Sequence, residues 1–175
     1  MPADGQRSSK LVVSVVDGQG RPFRAPGLGR WLETVAPARA RGEITLAFAS
    51  DARVRALNRT YRGVDTATDV LSFTPDLPPG NATGARVTRP YLGDIVIARG
   101  VARRQARALA HAESTEWRVL ALHGLLHLLG YDHEADTGAM RRLEQRLRRR
   151  GGLDGGLIER QPPHPRRLRP RGTGR

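Results

Sequence analysis

One uncharged stretch in the second half of the chain constrains the fold most. Residues 119–131 read VLALHGLLHLLGY and contain two histidines but no charged side chain. The stretch is too short to cross a bilayer, which takes about 20 apolar residues. Apolar side chains would surround a helix here on almost every side, and such a helix is buried. Gly130 is the residue type that ends helices, so the sequence predicts a buried helix that stops there.

Shorter patterns along the chain alternate between strand and helix. The predicted strands, rich in β-branched or alternating apolar residues, are 11–16, 43–49, 70–73 and 92–98. The predicted helices are 28–40, 51–61, 100–111, a helix capped by Ser114 or Thr115 that runs to Leu129, and 135–149. Residues 74–90 are rich in Pro, Gly, Asn and Thr and predict a loop. This order predicts an α+β (mixed α/β) fold, with a mixed sheet of about four strands packed with about five helices.

Length and charge predict three segments. A chain of 175 residues suits a single domain. We expect a disordered N-terminus at 1–10, one folded domain at 11–150 and a basic disordered tail at 151–175. Residues 141–175 hold 12 arginines against three acids. Such a tail fits either a polyanionic partner or a solvated segment that aids solubility.

Two absences narrow the chemistry and the location. The chain contains no cysteine, which excludes disulfides, zinc–thiolate sites, iron–sulfur clusters and thiol nucleophiles. The first ten residues are polar and the apolar run after them is short, so we expect no signal peptide. The sequence therefore predicts a cytoplasmic protein.

Three histidines have the spacing of a metal site. His123, His127 and His133 lie in the segment HGLLHLLGYDH. The first two share a helix face because they are four residues apart. A turn at Gly130 would bring His133 back toward them. Burial keeps the imidazoles neutral, and three neutral imidazoles with an open fourth position suit one catalytic Zn²⁺ per chain. The alternative is two core histidines and one surface histidine.

The same spacing occurs in the metzincin metalloproteases. Those enzymes carry a glutamate directly after the first histidine, where it acts as general base. Gly124 occupies that position here, and glycine cannot accept a proton. The sequence therefore predicts a metal helix like that of zinc hydrolases but disfavours peptide hydrolysis by that route.

The histidine segment resembles the signature of the bacterial YbeY endoribonucleases, the rRNA maturation factors. Three further motifs resemble that family in the same order, namely LN-x-x-YR at 57–62, TDVLSF at 68–73 and LGDIVI at 92–97. Gln105-Ala106, Met140 and Glu144 also follow the family's order. The resemblance covers about residues 45–145.

The resemblance implies a single-strand-specific, metal-dependent endoribonuclease. It implies action in 3′-end maturation of 16S rRNA and in ribosome quality control. The implied partners are rRNA, the small ribosomal subunit and ribosome-associated proteins, with neither DNA nor membrane among them. Carried over residue by residue, the resemblance makes His123, His127 and His133 the metal ligands. It also makes Arg62 the arginine that faces the metal cavity, and we expect His123 and Arg62 to be required for catalysis.

Three other side chains are candidates for roles in such a reaction. The fork of Arg62 matches phosphate geometry and stays charged, so it would neutralise the phosphate beside a metal-activated nucleophile. The alternative is an ordinary exposed arginine at a helix end. Ser72 is either a donor toward substrate or an ordinary serine at a strand end. Asp132 is a candidate hydrogen-bond partner behind the metal ligands or a proton acceptor. The alternative is a turn residue bonded to its own backbone.

Two other functions compete with the nuclease. A non-catalytic ribosome-assembly factor would use zinc only to stabilise the fold, but closed structural sites normally have four ligands and this sequence offers three. A metalloprotease-like hydrolase is disfavoured by Gly124.

Overall fold

The computed structural model of the chain describes residues 10–75, 89–131 and 138–153. The strands are β1 (Leu11–Asp17), β2 (Gly42–Ala49), β3 (Val70–Phe73) and β4 (Tyr91–Ala98). The helices are α1 (Leu28–Val35), α2 (Asp51–Arg62), α3 (Arg99–Ala108), α4 (Glu113–Leu128) and α5 (Ala139–Arg150). The α+β class is confirmed. Most of the predicted disordered N-terminus, loop and tail lies outside the described residues, so those boundaries stay predictions.

The four strands form one mixed sheet in the order β1-β2-β4-β3. β1, β2 and β4 run parallel, and β3 runs antiparallel to β4. The three parallel strands therefore end together at what we name the carboxyl end of the sheet. β3 finishes at the opposite, amino end, where Phe73 pairs with Asp94.

Alternating side chains give the sheet two covered faces. On the first face Ile44, Leu46 and Phe48 of β2 pack in one core with residues of α1, α4 and α5. On the second face Ala49 of β2 packs with Val54 of α2 in a smaller cluster. The helix after β1 and the helix after β2 thus lie on opposite faces.

Helix α4 is buried, as the sequence predicted. Ala121, Leu122, Leu125 and Leu126 have no exposed surface (0%). The helix ends as expected at Gly130, whose φ is 82°. Gly130 N–H donates to His127 O (2.9 Å) and Tyr131 N–H donates to Leu126 O (3.1 Å), the paired bonds of a Schellman motif. No helix in the described part of the chain is both long and apolar enough to cross a membrane.

Four predicted helix boundaries are wrong. α3 ends at Ala108 rather than residue 111, because Ala110 has a positive φ of 53°. α5 begins at Ala139 rather than residue 135, after Gly138 with φ 84°. α1 ends at Val35 rather than residue 40, because Pro37 disfavours helical geometry at Ala36, which has φ −53° and ψ 143°. α4 begins at Glu113 after Ala112, so neither Ser114 nor Thr115 caps it. Acidic side chains in its first turn instead complement the positive end of the helix dipole.

Candidate metal centre

Helix α4 places two of the predicted metal ligands side by side. The Nε2 atoms of His123 and His127 are 3.1 Å apart, and the ring centroids are separated by 4.7 Å at an interplanar angle of 73°. Two nitrogens bound to one tetrahedral zinc, each at about 2.0–2.1 Å, would be separated by ~3.3 Å. The two imidazoles therefore already converge at nearly the spacing that a shared cation requires.

A buried carboxylate on α5 lies behind the first histidine. Glu144 is 7% exposed, and its Oε1 is 3.5 Å from His123 Nδ1. A proton held on Nδ1 by this carboxylate leaves the Nε2 lone pair available for a metal. This arrangement fits a metal ligand better than an isolated core histidine.

Arg148 keeps that carboxylate charged. Its Nη2 lies 2.5 Å from Glu144 Oε1, one turn along α5. Burial alone would raise the pKa of Glu144, but the hydrogen bond to His123 and the charge of Arg148 outweigh burial and hold the pKa below its ordinary value. Glu144 is therefore an anion in contact with the imidazole of His123.

In the sequence, Glu144 stands out only by its place in the family's order of motifs, which predicts no role for it. Its signal is an acidic residue on an otherwise apolar helix face, between Met140, Leu143 and Leu147, which are all buried. The residue that was proposed as a partner behind the ligands, Asp132, lies outside the described residues. That role of Asp132 stays a prediction.

The third predicted ligand, His133, also lies outside the described residues. Within residues 10–75, 89–131 and 138–153, no three potential ligands cluster closely enough to hold a metal ion. The described residues thus supply two imidazoles and their orienting carboxylate. The sequence predicts His133 as the third ligand, and that role stays a prediction.

Gly124 lets α4 approach the sheet closely. A Cβ added there would lie 2.6 Å from Ile95 Cγ2 and 3.1 Å from Ser72 Oγ. The Ser72 hydroxyl donates to Gly124 O at 3.1 Å and so fastens β3 to the helix. No side chain fits at this position without movement, which is a structural reason for the missing glutamate of the metalloproteases. The proposed contact of Ser72 with substrate stays a prediction.

Arg62 ends α2 near the amino end of the sheet. The ring of the preceding Tyr61 lies 5.1 Å from that of Phe73, which directly follows Ser72. The end of α4 reaches the same place, since a Cβ added to Gly93 would lie 2.9 Å from Leu128 Cδ2. Arg62 is exposed, and within the described residues no carboxylate lies within salt-bridge distance of it. Its predicted role against substrate phosphate is untested.

Arg39 holds the turn that follows α4, and the sequence analysis missed it. Its Nη2 donates to Leu129 O at 2.5 Å, and its guanidinium lies 3.9 Å from the centroid of the Tyr131 ring. A cation at the carboxyl end of a helix is electrostatically favourable. No local pattern could reveal this contact, because Arg39 and Leu129 are 90 residues apart.

Comparison with known proteins places the chain in a family. The profile of the family described as Endoribonuclease YbeY matches residues 28–151. Relatives named Endoribonuclease YbeY include that of Solibacter usitatus, 51% identical over 63% of this chain and 67% of that protein. The relative from Halorhodospira halophila is 42% identical over 80% of this chain and 88% of that protein. The relative from Anaeromyxobacter is 46% identical over 71% of this chain, which spans only 62% of that protein.

A solved structure is also similar. The solution structure of TM1509 from Thermotoga maritima matches 88% of this chain and 99% of its own, with 19% identity and a TM-score of 0.49. This distant likeness carries no inference about function. The family profile, in contrast, spans well over half of the chain and includes His123 and His127. The chain therefore belongs to the endoribonuclease YbeY family.

Proposed function

We propose that this protein is a zinc-dependent endoribonuclease that cuts single-stranded RNA, with rRNA as its substrate. Membership of the family supports a hydrolytic endoribonuclease. The observation that carries the metal dependence is the 3.1 Å approach of the His123 and His127 Nε2 atoms, with Glu144 behind His123.

The proposed ligands are His123, His127 and His133, for one Zn²⁺ per chain. When bound, the ion would supply a hydroxide nucleophile near neutral pH and polarise a phosphoryl oxygen. Glu144 would orient the first imidazole through its contact with Nδ1. Gly124 and Ser72 keep α4 against the sheet, so that the imidazoles stay in a fixed position during the reaction.

Arg62 would bind the phosphate of the scissile bond. Its guanidinium stays charged at every cellular pH and can donate two parallel hydrogen bonds to phosphate oxygens. Ser72 could contact the substrate only as a hydrogen-bond acceptor. Because its proton is donated to Gly124 O, its hydroxyl oxygen can only accept a hydrogen bond from substrate, for example from a ribose 2′-OH.

The proposed biological role is 3′-end maturation of 16S rRNA and ribosome quality control. The small ribosomal subunit and ribosome-associated proteins would be the partners, and the reaction would occur in the cytoplasm, where ribosomes are assembled. A formal net charge of +13 supports an RNA partner, because binding to a phosphate backbone gains from the release of its counterions.

Cleavage of matched single- and double-stranded RNA by the purified protein tests this function. We expect wild-type protein to cut the single strand, His123→Ala to be inactive, and Arg62→Glu to be inactive with its zinc content unchanged. Arg30→Glu reverses the charge of another exposed arginine, on α1, and should leave cleavage intact. Equal cleavage by wild type and His123→Ala would refute the proposal.

A further inference from the structure

A separate cleft lies at the carboxyl end of the sheet. Its volume is about 620 Å³. Its walls are the end of β1 and the residues after it, the end of β2 with the start of α2, and the first residues of α3. The histidines belong to the other end, since Gly93 lies beside the end of α4. From Gly93 to Ala98, the last residue of β4, the strand rises ~16 Å.

The strand connections at this cleft have the arrangement at which α/β proteins bind ligands. The chain leaves β1 toward α1 on the first face and leaves β2 toward α2 on the second face. Where neighbouring parallel strands send their connections to opposite faces, a crevice opens at their carboxyl ends, and α/β proteins bind ligands there. The volume of 620 Å³ falls within the usual range for such sites, about 300–1,000 Å³.

Four arginines line the cleft, and two of them are available to an anion. Arg21 is paired with Asp17 at 3.0 Å. Arg53 and Arg99 are exposed, and no described carboxylate lies within salt-bridge distance of either one. The Arg99 guanidinium lies 5.2 Å from the Phe23 ring centroid, which restricts its orientation. The fourth arginine, Arg103, faces a carboxylate of α4 at 3.5 Å.

The carboxylates of the cleft are already satisfied. Asp51 Oδ1 accepts from the N–H groups of Gly100 (2.8 Å) and Val101 (3.1 Å), and its Oδ2 accepts from Arg104 (2.9 Å). Burial raises the pKa of Asp51, but these hydrogen bonds outweigh it and hold the pKa below its ordinary value. Asp51 thus accepts hydrogen bonds from the free N–H groups at the start of α3, and these groups are not available to a ligand. The positive charge available to a ligand is that of the Arg53 and Arg99 guanidiniums.

We propose that this cleft binds a phosphate of the RNA chain away from the scissile bond, through Arg53 and Arg99. Two guanidinium forks suit the oxygens of a phosphodiester, which accept paired hydrogen bonds. The inference rests on the proposed function, because it takes RNA as the substrate. A strand held both here and at the histidines must extend along the sheet, which a flexible single strand does more readily than a duplex.

Binding of single-stranded RNA across a range of salt concentrations tests the cleft. The measurement uses the full chain carrying His123→Ala, so that the RNA stays intact. In this background we compare Arg53→Gln/Arg99→Gln with Arg30→Gln/Arg107→Gln. The second pair removes the same charge from exposed positions on α1 and α3 outside the cleft.

We expect the cleft pair to reduce the slope of log affinity against log salt by about 0.7, since one phosphate contact on a single strand contributes ~0.7. The control pair should leave the slope unchanged. Equal slopes for the two pairs would overturn the proposal. A site for free phosphate would instead show saturable shifts of the Arg53 and Arg99 side-chain NMR signals on addition of inorganic phosphate, with RNA binding unchanged, and this result would also overturn it.

This test is separable from that of the proposed function. If RNA cleavage depends on His123 and the salt slopes are unchanged, only the proposed role of the cleft is refuted. If the cleft pair reduces the slope but the wild-type protein does not cleave RNA, the cleft binds RNA and the proposed nuclease function is refuted.

Discussion

Replacing Glu144 with glutamine tests how the metal centre is held in place. Glutamine keeps the size of the side chain and one carbonyl oxygen, but removes the negative charge that lies 3.5 Å from His123 Nδ1 and 2.5 Å from Arg148 Nη2. It also places an NH₂ donor where the carboxylate accepted. The substitution should therefore loosen the orientation of the His123 imidazole and leave the charge of Arg148 without its carboxylate partner.

The expected magnitudes follow from the burial of this cluster. Loss of the partner behind a metal-binding histidine typically lowers metal affinity 10- to 100-fold, or ~1.4–2.7 kcal/mol. Arg148 is 11% exposed, and breaking a buried ion pair costs about 3–5 kcal/mol. Because glutamine still offers an acceptor, we expect the free energy of unfolding of the zinc-free protein to fall by about 2 kcal/mol.

Competition with a chromophoric chelator measures the zinc affinity, and urea unfolding in excess chelator measures the stability. Glu113→Gln is the matched control, because it makes the same change in α4 at an ion pair whose side chains are 49% and 32% exposed. That control should change stability by less than ~0.5 kcal/mol and leave zinc affinity unaltered. Wild-type zinc affinity in a folded Glu144→Gln protein would refute the role of this carboxylate.

Three other substitutions test the fold around the sites. Gly124→Ala should lower the free energy of unfolding, measured in urea, by ~2 kcal/mol, because the added Cβ would meet Ile95 Cγ2 at 2.6 Å. This loss exceeds the gain of about 1 kcal/mol in helix propensity. Unchanged stability would show that α4 can shift. Ala110→Gly should raise the melting temperature through a gain of ~0.5–1 kcal/mol, because Ala110 has a φ of 53°; a lower melting temperature would contradict this. The lowered pKa of Asp51 makes its carboxylate stabilising above the unfolded pKa of about 3.9, and this stabilisation is lost as pH falls through the folded pKa. Asp51→Asn should therefore lower the free energy of unfolding by about 1 kcal/mol at pH 7 and by progressively less as pH falls through the folded pKa. An equal loss at neutral and acid pH would refute the assignment.

Most of the fold could be predicted from local sequence patterns. Alternation and helical periodicity act within a few residues, so the order of strands and helices and the burial of α4 were predictable from sequence. The stop at Gly130 was predictable for the same reason, because a Schellman turn needs a residue that tolerates positive φ. The wrong boundaries at Ala36 and Ala112 depend on backbone torsions that composition specifies weakly.

The surroundings of the site were less predictable because they come from distant parts of the chain. The spacing of His123 and His127 follows from helix geometry alone. Glu144 reaches His123 only after α5 packs on the first face, and Arg39 reaches Leu129 from the loop between α1 and β2. The crevice holding Arg53 and Arg99 exists only once parallel strands are placed side by side.

Titration of zinc into metal-free protein, with RNA cleavage and bound zinc followed together, tests the account most directly. We predict that single-strand cleavage rises in proportion to bound zinc and saturates at about one equivalent. His123→Ala should neither bind zinc at that affinity nor cleave. Full cleavage by the metal-free protein, or by His123→Ala, would contradict a reaction that depends on these histidines.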